Sequence, residues 1–416
     1  MTERHNMTQK IYPVLIGADL NCYNVARAFH EAYGVTSKAF GRYAVSATKY
    51  STIVDFTAIP DIDSEDVMIR TLKDYAASHA DGRLVLFGCT DDYATMIIRN
   101  KQNLPEYICP YTEPEMIDTL SCKAEFYEMC ERHGIPYPKT VVLEGVPEDG
   151  ALDAAVLGFP YPIIIKPSSS VVYWKHPFDG MKKVYTAEAP DDAMKIVRDI
   201  YASGYDNKII VQDMIPGGDA QMRVFTAFSD ARGKVRAMCL GHTMVEEHTP
   251  KGLGNHAAIV TEDTAAFPLT EKIRALLEEM HYVGFSNFDI KYTGTGNDFR
   301  VFEINLRQGR SNMYMTAAGL NVAKLAAEVF LSDGDDCVLC TNEHFWHHVP
   351  KAVAYKYTED AELVRKAKSL AHSGRDTSSL WYKPDICKSP MRFLCVCEQL
   401  RRQFGKFKTY YPTGRE

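Results

Sequence analysis

Asp289, Glu303 and Asn305 are the side chains in this 416-residue chain whose types and spacing say most about chemistry. Asp289 falls in residues 287–292 and the other two in residues 301–307. Both runs alternate apolar and polar positions with a period of two, and Gly294 and Gly296 lie between them. That pattern predicts an antiparallel hairpin with the three oxygen donors on one face. Such hard ligands suit Mg²⁺ carried by a nucleotide, because Mg²⁺ takes a few carboxylates and completes its shell with phosphate oxygens. A half-buried hairpin whose polar face merely meets water has the same pattern, so the rest of a nucleotide site must decide.

Those other parts occur in order. Phosphates need cations and N–H donors, and adenine needs an apolar slot with backbone partners. Lys166 closes the apolar run 161–167, and Ser168 and Ser169 follow as a small-residue loop able to fold over a triphosphate. Lys123, in the first turn of a helix predicted over 121–133, offers a second cation. The apolar run 208–212 ends at Gln212 and leads through Asp213 and Ile215 into Pro216-Gly217-Gly218, a linker whose backbone can pair with the adenine edge. Asp219 follows as an acceptor for ribose hydroxyls. Taken singly, each has a structural explanation: strand-terminal lysines are usually solvated, and Pro-Gly-Gly is usually a turn.

The elements that must position these residues read as α/β at the start of the chain. Residues 12–16, 53–56 and 84–87 are short apolar strands, and residues 22–33 form a helix with Val25, Phe29 and Ala32 on one face. Strands alternating with helices imply a parallel sheet with ligands at the carboxyl ends of its strands. Asp19, Asn21, Thr90 and Asp91 are therefore candidate substrate contacts as well as ordinary helix caps. No GxGxxG fingerprint accompanies them, so nothing points to a dinucleotide. Further on, the pattern turns β-rich, with amphipathic helices predicted over 268–280 and 320–331 and a final stretch broken by Pro350, Pro384 and Pro390.

Composition narrows the class. A net charge of −7 argues against a nucleic-acid partner, and no apolar run is long enough to span a bilayer. The polar start lacks the apolar core of a secretory signal, which gives an expectation of cytoplasmic location. The eleven scattered cysteines read as reduced core thiols. Cys337, Cys340, His344, His347 and His348 are spaced too tightly for two ligand pairs to surround a zinc ion.

Taken together, the pieces resemble the ATP-grasp superfamily: a lysine ahead of the connector Gly134-Ile135-Pro136, a strand with Lys166-Pro167, a hinge with its acid, then Asp289 and Glu303-x-Asn305. More narrowly, the sequence is similar to the D-aspartate ligases of Gram-positive cell-wall synthesis. Residues 13–21, 26–34, 210–217, 222–224, 239–242 and 302–311 carry that similarity, which runs into the last segment.

The resemblance implies an α/β fold class of ATP-grasp type. An N-terminal parallel-sheet domain (1–120) would precede a two-part ATP-grasp domain (121–330, its lid at 121–212 and metal-binding core at 213–330) and a C-terminal appendage (331–416). It implies ATP bound by Lys123, Lys166, Ser168, Ser169, Gln212, Asp213, Ile215 and Asp219, and two Mg²⁺ ions on Asp289, Glu303 and Asn305. Arg223 would stabilise the transferring phosphoryl group, and Arg307 and Arg310 would clasp substrate carboxylates or an acyl phosphate. The implied activity is a carboxylate–amine ligase that joins aspartate, activated at its side chain, to a lysine amine of a peptidoglycan precursor. A ligase for soluble small amino-acid substrates and a non-catalytic ATP-binding regulator are the alternatives.

Asn287 departs from the pattern, since some amino-acid ligases place an arginine two residues before the first metal aspartate. Its task would pass to Arg223, Arg310 or His242. The glycine-rich loop 249–256 can close over substrate, with Lys251 and His256 expected to be solvated. The basic, aromatic-rich end either packs on the body or rests on an anionic inner membrane surface.

Overall fold

The computed structural model describes residues 10–121, 123–168, 170–250 and 252–411, with backbone alone at 121, 123, 124, 170 and 171. The chain divides into two compact units. Met1–Pro114, Gly218–Phe288 and Asn305–Glu416 make the larger; Glu115–Gly217 and Asp289–Ile304 make the smaller.

In the larger unit, Lys10–Ile16 is the middle strand of a five-stranded parallel sheet. The order is Val54–Ala58, Ser37–Gly41, Lys10–Ile16, Gly82–Gly88, Tyr107–Ile108. Val14, Leu15, Ile16, Val85, Leu86 and Phe87 are fully buried, as expected of parallel strands covered on both faces. The helix Leu20–Tyr33 starts where Asp19 accepts the Cys22 N–H at 3.2 Å and stops at Gly34, a left-handed residue with φ 67°. The chain leaves Lys10–Ile16 on one side and returns on the other, so the strand order reverses between it and Gly82–Gly88. The crevice at their carboxyl ends is the switch point of the sheet, where ligands of such folds bind. Gly17 (φ +138°) makes the crevice possible: a β-carbon there would stand 2.8 Å from that of Cys89.

A second sheet is built on long antiparallel strands, Met222–Ser229, Val235–Glu247 and Asn255–Glu262, and extends through Phe345–His347 to Asp376–Ser378. On its other side run Gly284–Tyr292 and Phe299–Asn305, the predicted hairpin. The chain crosses into the smaller unit within the first of these strands and returns within the second.

The basic end forms the helix Pro390–Tyr410, which buries Arg392, Val396, Gln403 and Phe407 along one face. Arg392 is fully buried. Its Nε donates to Asp385 at 2.7 Å, and its Nη1 reaches the Ser46 and Lys49 carbonyls at 3.3 and 3.2 Å. At the other end, the Tyr411 hydroxyl donates to Asp219 at 3.1 Å.

The smaller unit holds a four-stranded antiparallel sheet ordered Thr140–Leu143, Ile209–Asp213, Ile163–Pro167, Tyr185–Ala187. The helix Pro190–Ala202 packs its Ala193, Val197 and Ile200 into the core of this sheet.

Candidate active site

Within the larger unit, the switch point opens into a polar recess of about 400 Å³. Asp19, Asn21, Cys89, Thr90 and Asp91 line it from the strand-end turns, Glu247, Thr249, Gly252 and Asn255 from the second sheet, and Arg307, Arg310 and Lys406 complete it. Two of the three arginines expected at the site therefore meet the strand-end turns. Arg307 is clamped by Asp91, with its Nε 2.7 Å from one carboxylate oxygen and its Nη2 donating to the other at 3.0 Å. Arg310 lies 3.0 Å from Glu247, which also meets His348 Nε2 at 2.8 Å.

The charges in the recess are held by position. Burial alone would push the Glu247 carboxyl up, but His348, Arg310 and Lys406 together hold it down at about 2. Burial lowers the His348 imidazole, and the Glu247 carboxylate 2.8 Å away opposes that shift. Asp19 is raised by burial, with Arg310 and Arg307 opposing. Asp19 also caps the first helix, and Thr90 caps the helix Asp91–Asn100 by accepting the Tyr93 N–H at 3.2 Å.

Arg223 lies away from the recess lining. It is buried on its strand, with Nε donating to Glu262 at 3.1 Å and Nη1 donating to the Ala220 and Met222 carbonyls. His242, its cross-strand neighbour, meets the other Glu262 oxygen at 2.8 Å. Asp219 is buried too, accepting the Glu246 N–H at 2.8 Å and the Tyr411 hydroxyl, with His248 Nε2 at 3.1 Å. Asn287, the residue in place of the expected arginine, is buried and accepts the Thr226 hydroxyl at 2.9 Å.

The smaller unit carries most of the remaining residues that the sequence led us to expect at a nucleotide. Lys166 Nζ stands 5.9 Å from the centre of the Phe302 ring, next in the chain to Glu303. Ser168 donates to Asn207 at 3.2 Å. The Gln212 side chain is buried and donates to the Tyr127 and Thr140 hydroxyls, both at 2.8 Å, so only its backbone faces a ligand role. Tyr127 in turn donates to the Phe302 carbonyl at 2.8 Å, and the Glu303 charge helps to raise its hydroxyl, after burial. Asp213 N–H is taken by the Lys139 carbonyl at 3.0 Å. Lys291 Nζ binds the Ile215 and Gly217 carbonyls at 2.9 and 2.7 Å, tying the linker to the strand that carries Asp289. Asp289 and Glu303 are half-buried carboxylates on neighbouring strands, a donor set that fits Mg²⁺. Asn305 ends its strand in the larger unit and donates to the Asn287 carbonyl at 3.3 Å. Ser169, Lys251 and the side chain of Lys123 lie outside the described residues.

One expectation is corrected. His256 is buried, with Nδ1 2.9 Å from the Thr243 hydroxyl, because the strand that carries it is central to the sheet. The clustered residues of 337–348 take separate partners: Cys340 the thiol of Cys239, His344 Thr377, His347 Asp376 and His348 Glu247. Thr249, Gly252 and Asn255 of the lining belong to the glycine-rich loop 249–256, whereas Glu247 and Lys406 are the recess residues that sequence reasoning missed. Glu247 ends a long strand, but Lys406 is one of many cations in a basic run, and nothing in the pattern singles it out.

No family model matches the chain. A D-aspartate ligase from Enterococcus faecium is 36% identical over 414 residues, covering 97% of this chain and 97% of that protein. Among solved structures, an L-amino acid ligase from Bacillus licheniformis matches with a TM-score of 0.53 at 11% identity, over 78% of this chain and 75% of its own. The biotin carboxylase domain of Hydrogenobacter thermophilus 2-oxoglutarate carboxylase, in complex with MgADP, matches with a TM-score of 0.56 at 13% identity, over 80% and 73%. At such identities the two structures speak for the fold alone.

Proposed function

Because the chain belongs to the D-aspartate ligase family and has the ATP-grasp fold of an ATP-dependent carboxylate–amine ligase, we propose that it joins D-aspartate, through its side-chain carboxylate, to the lysine side-chain amine of a peptidoglycan precursor. The γ-phosphoryl group of ATP passes to that carboxylate; the amine then attacks the acyl carbon, loses a proton and expels phosphate, leaving the amide, ADP and phosphate. Asp289, Glu303 and Asn305 would hold two Mg²⁺ ions, which supply charge neutralisation during phosphoryl transfer. Lys166 and Lys123 are assigned to the phosphates, the linker from Asp213 to Ile215 to adenine, and Asp219 to the ribose hydroxyls. Arg223 is assigned to the transferring group. Arg307 and Arg310 bind carboxylate or acyl phosphate.

The observation that carries this reading is the recess of the larger unit, where Arg307 and Arg310 stand beside Asp19 and Glu247. A zwitterionic substrate needs both signs within one cavity. The test is ADP formation with ATP, Mg²⁺ and a lysine-bearing acceptor, comparing D-aspartate, L-aspartate and neutral amino acids. Turnover led by D-aspartate supports the proposal; turnover led by neutral amino acids moves the protein to the soluble small-substrate ligases; ATP binding without turnover leaves the regulator reading.

A peripheral membrane contact belongs to the same proposal. The helix Pro390–Tyr410 packs on the larger unit yet leaves Met391, Phe393, Leu394 and Phe404 exposed beside Arg401 and Lys408. No helix among the described residues is long and apolar enough to cross a membrane. Flotation with anionic vesicles should weaken when Phe393 and Phe404 are both changed to Ser, and equal flotation would remove the idea.

A further inference from the structure

Among the described residues the recess is lined by three cations, and two of them stand in close ion pairs. Arg307 is clamped by both oxygens of Asp91, and Arg310 is paired with Glu247. Lys406 lines the same cavity; its charge acts on Glu247 from a distance, but among the described residues no carboxylate lies within ion-pair distance of it. It comes from the C-terminal helix, far along the chain from every other lining residue.

That helix is a fixed support. Near its start, the fully buried Arg392 is bound to Asp385 and to two carbonyls of the segment 46–49; two turns later Gln399 Nε2 reaches the Ser46 carbonyl as well. Near its end, Phe407 is buried against Tyr357 and Tyr411, and Tyr411 is bound to Asp219. Lys406 is therefore an exposed side chain that lines the recess from a helix anchored on both sides of it.

We propose that Lys406 binds the carboxylate of the amino-acid substrate that is not phosphorylated, so that the C-terminal helix sets the preference for a dicarboxylic amino acid. This rests on the reading that the recess holds the amino acid. A mono-carboxylic amino acid has nothing to offer Lys406 once its one carboxylate is activated. An acidic amino acid keeps a second carboxylate, and a mobile ammonium can meet it without breaking Arg307–Asp91 or Arg310–Glu247.

The experiment compares D-aspartate with its α-amide, which keeps the side-chain carboxylate to be activated but lacks the second charge. In the full-length wild type, D-aspartate should be the better substrate. Lys406→Met should raise the KM for D-aspartate about tenfold to a hundredfold, the worth of one charge-assisted hydrogen bond. It should leave kcat and the KM for ATP within about twofold and leave the α-amide unchanged, so the discrimination collapses. Lys406→Arg should restore most of it. Lys388→Met, at an exposed lysine off the recess lining, should leave the KM for D-aspartate at the wild-type value. Lys406→Met with a wild-type KM for D-aspartate, or with an equal loss on both substrates, overturns the assignment while leaving the ligase reading intact. A wild type that forms no ADP with any acidic amino acid overturns both.

Discussion

The hairpin and the recess carry their chemistry in opposite ways. Asp289 and Glu303 stand half-buried on two consecutive strands joined by a short turn. The recess instead draws Asp19, Asp91, Glu247, Arg307, Arg310 and Lys406 from segments spread over nearly the whole chain. Several of these also hold the fold: Asp19 caps a helix, and Glu247 is buried among charged partners. The comparison teaches where function and stability separate. A change in the hairpin should remove activity at constant stability, whereas changes around the recess should touch both.

The largest effect tests the support of the recess. Arg392→Met leaves Asp385 charged and buried without its cation, and should lower the unfolding free energy by about 3–5 kcal/mol in urea titration. A loss under about 1 kcal/mol would mean that the C-terminal helix does not anchor the recess. Next, Arg307→Lys forfeits the two-point clamp on Asp91. Because Asp91 is largely exposed, stability should fall by less than about 1 kcal/mol, while the KM for the amino acid rises about tenfold. A stability loss without a KM change would make Arg307 a structural residue.

The smallest effect is pH-dependent. The Glu247 carboxyl lies at about 2 in the folded protein against an ordinary 4.5, so the unfolded chain binds more protons between these values. The stability it contributes is present above pH 4.5 and is lost as the pH falls toward 2. His348, lowered by burial, adds to the loss below its ordinary 6.5. Urea midpoints of the wild type should therefore fall more steeply on acidification than those of Glu247→Gln, and the two curves should converge. Parallel curves between pH 4.5 and 3 would contradict the charged, buried Glu247.

Legibility in the sequence followed the same division. Period-two alternation is local, and the hairpin predicted at 287–292 and 301–307 is found at Gly284–Tyr292 and Phe299–Asn305. The first helix begins at Leu20 rather than Cys22 because Asp19 caps it. Ser37–Gly41 was invisible: Ser-Lys-Ala-Phe-Gly has no strand pattern, and it becomes a strand because neighbours pair with it on both sides. The helix expected over 320–331 is found as an α-helical turn, Val322–Lys324, running on into a π-helix at Leu325–Val329, a change of winding that periodicity could not foresee. Asp19 and Asp91 were readable as strand-end residues, but their meeting with Glu247 and Lys406 depends on long-range packing. No spacing rule records that.

The most direct test of the account is Glu303→Gln, which removes one metal-binding charge at nearly constant shape. ADP formation with D-aspartate and a lysine-bearing acceptor should fall by at least about a hundredfold, equivalent to some 3 kcal/mol of barrier, with the urea midpoint unchanged. Turnover within a few-fold of wild type would contradict the assignment of the hairpin as the Mg²⁺–nucleotide site.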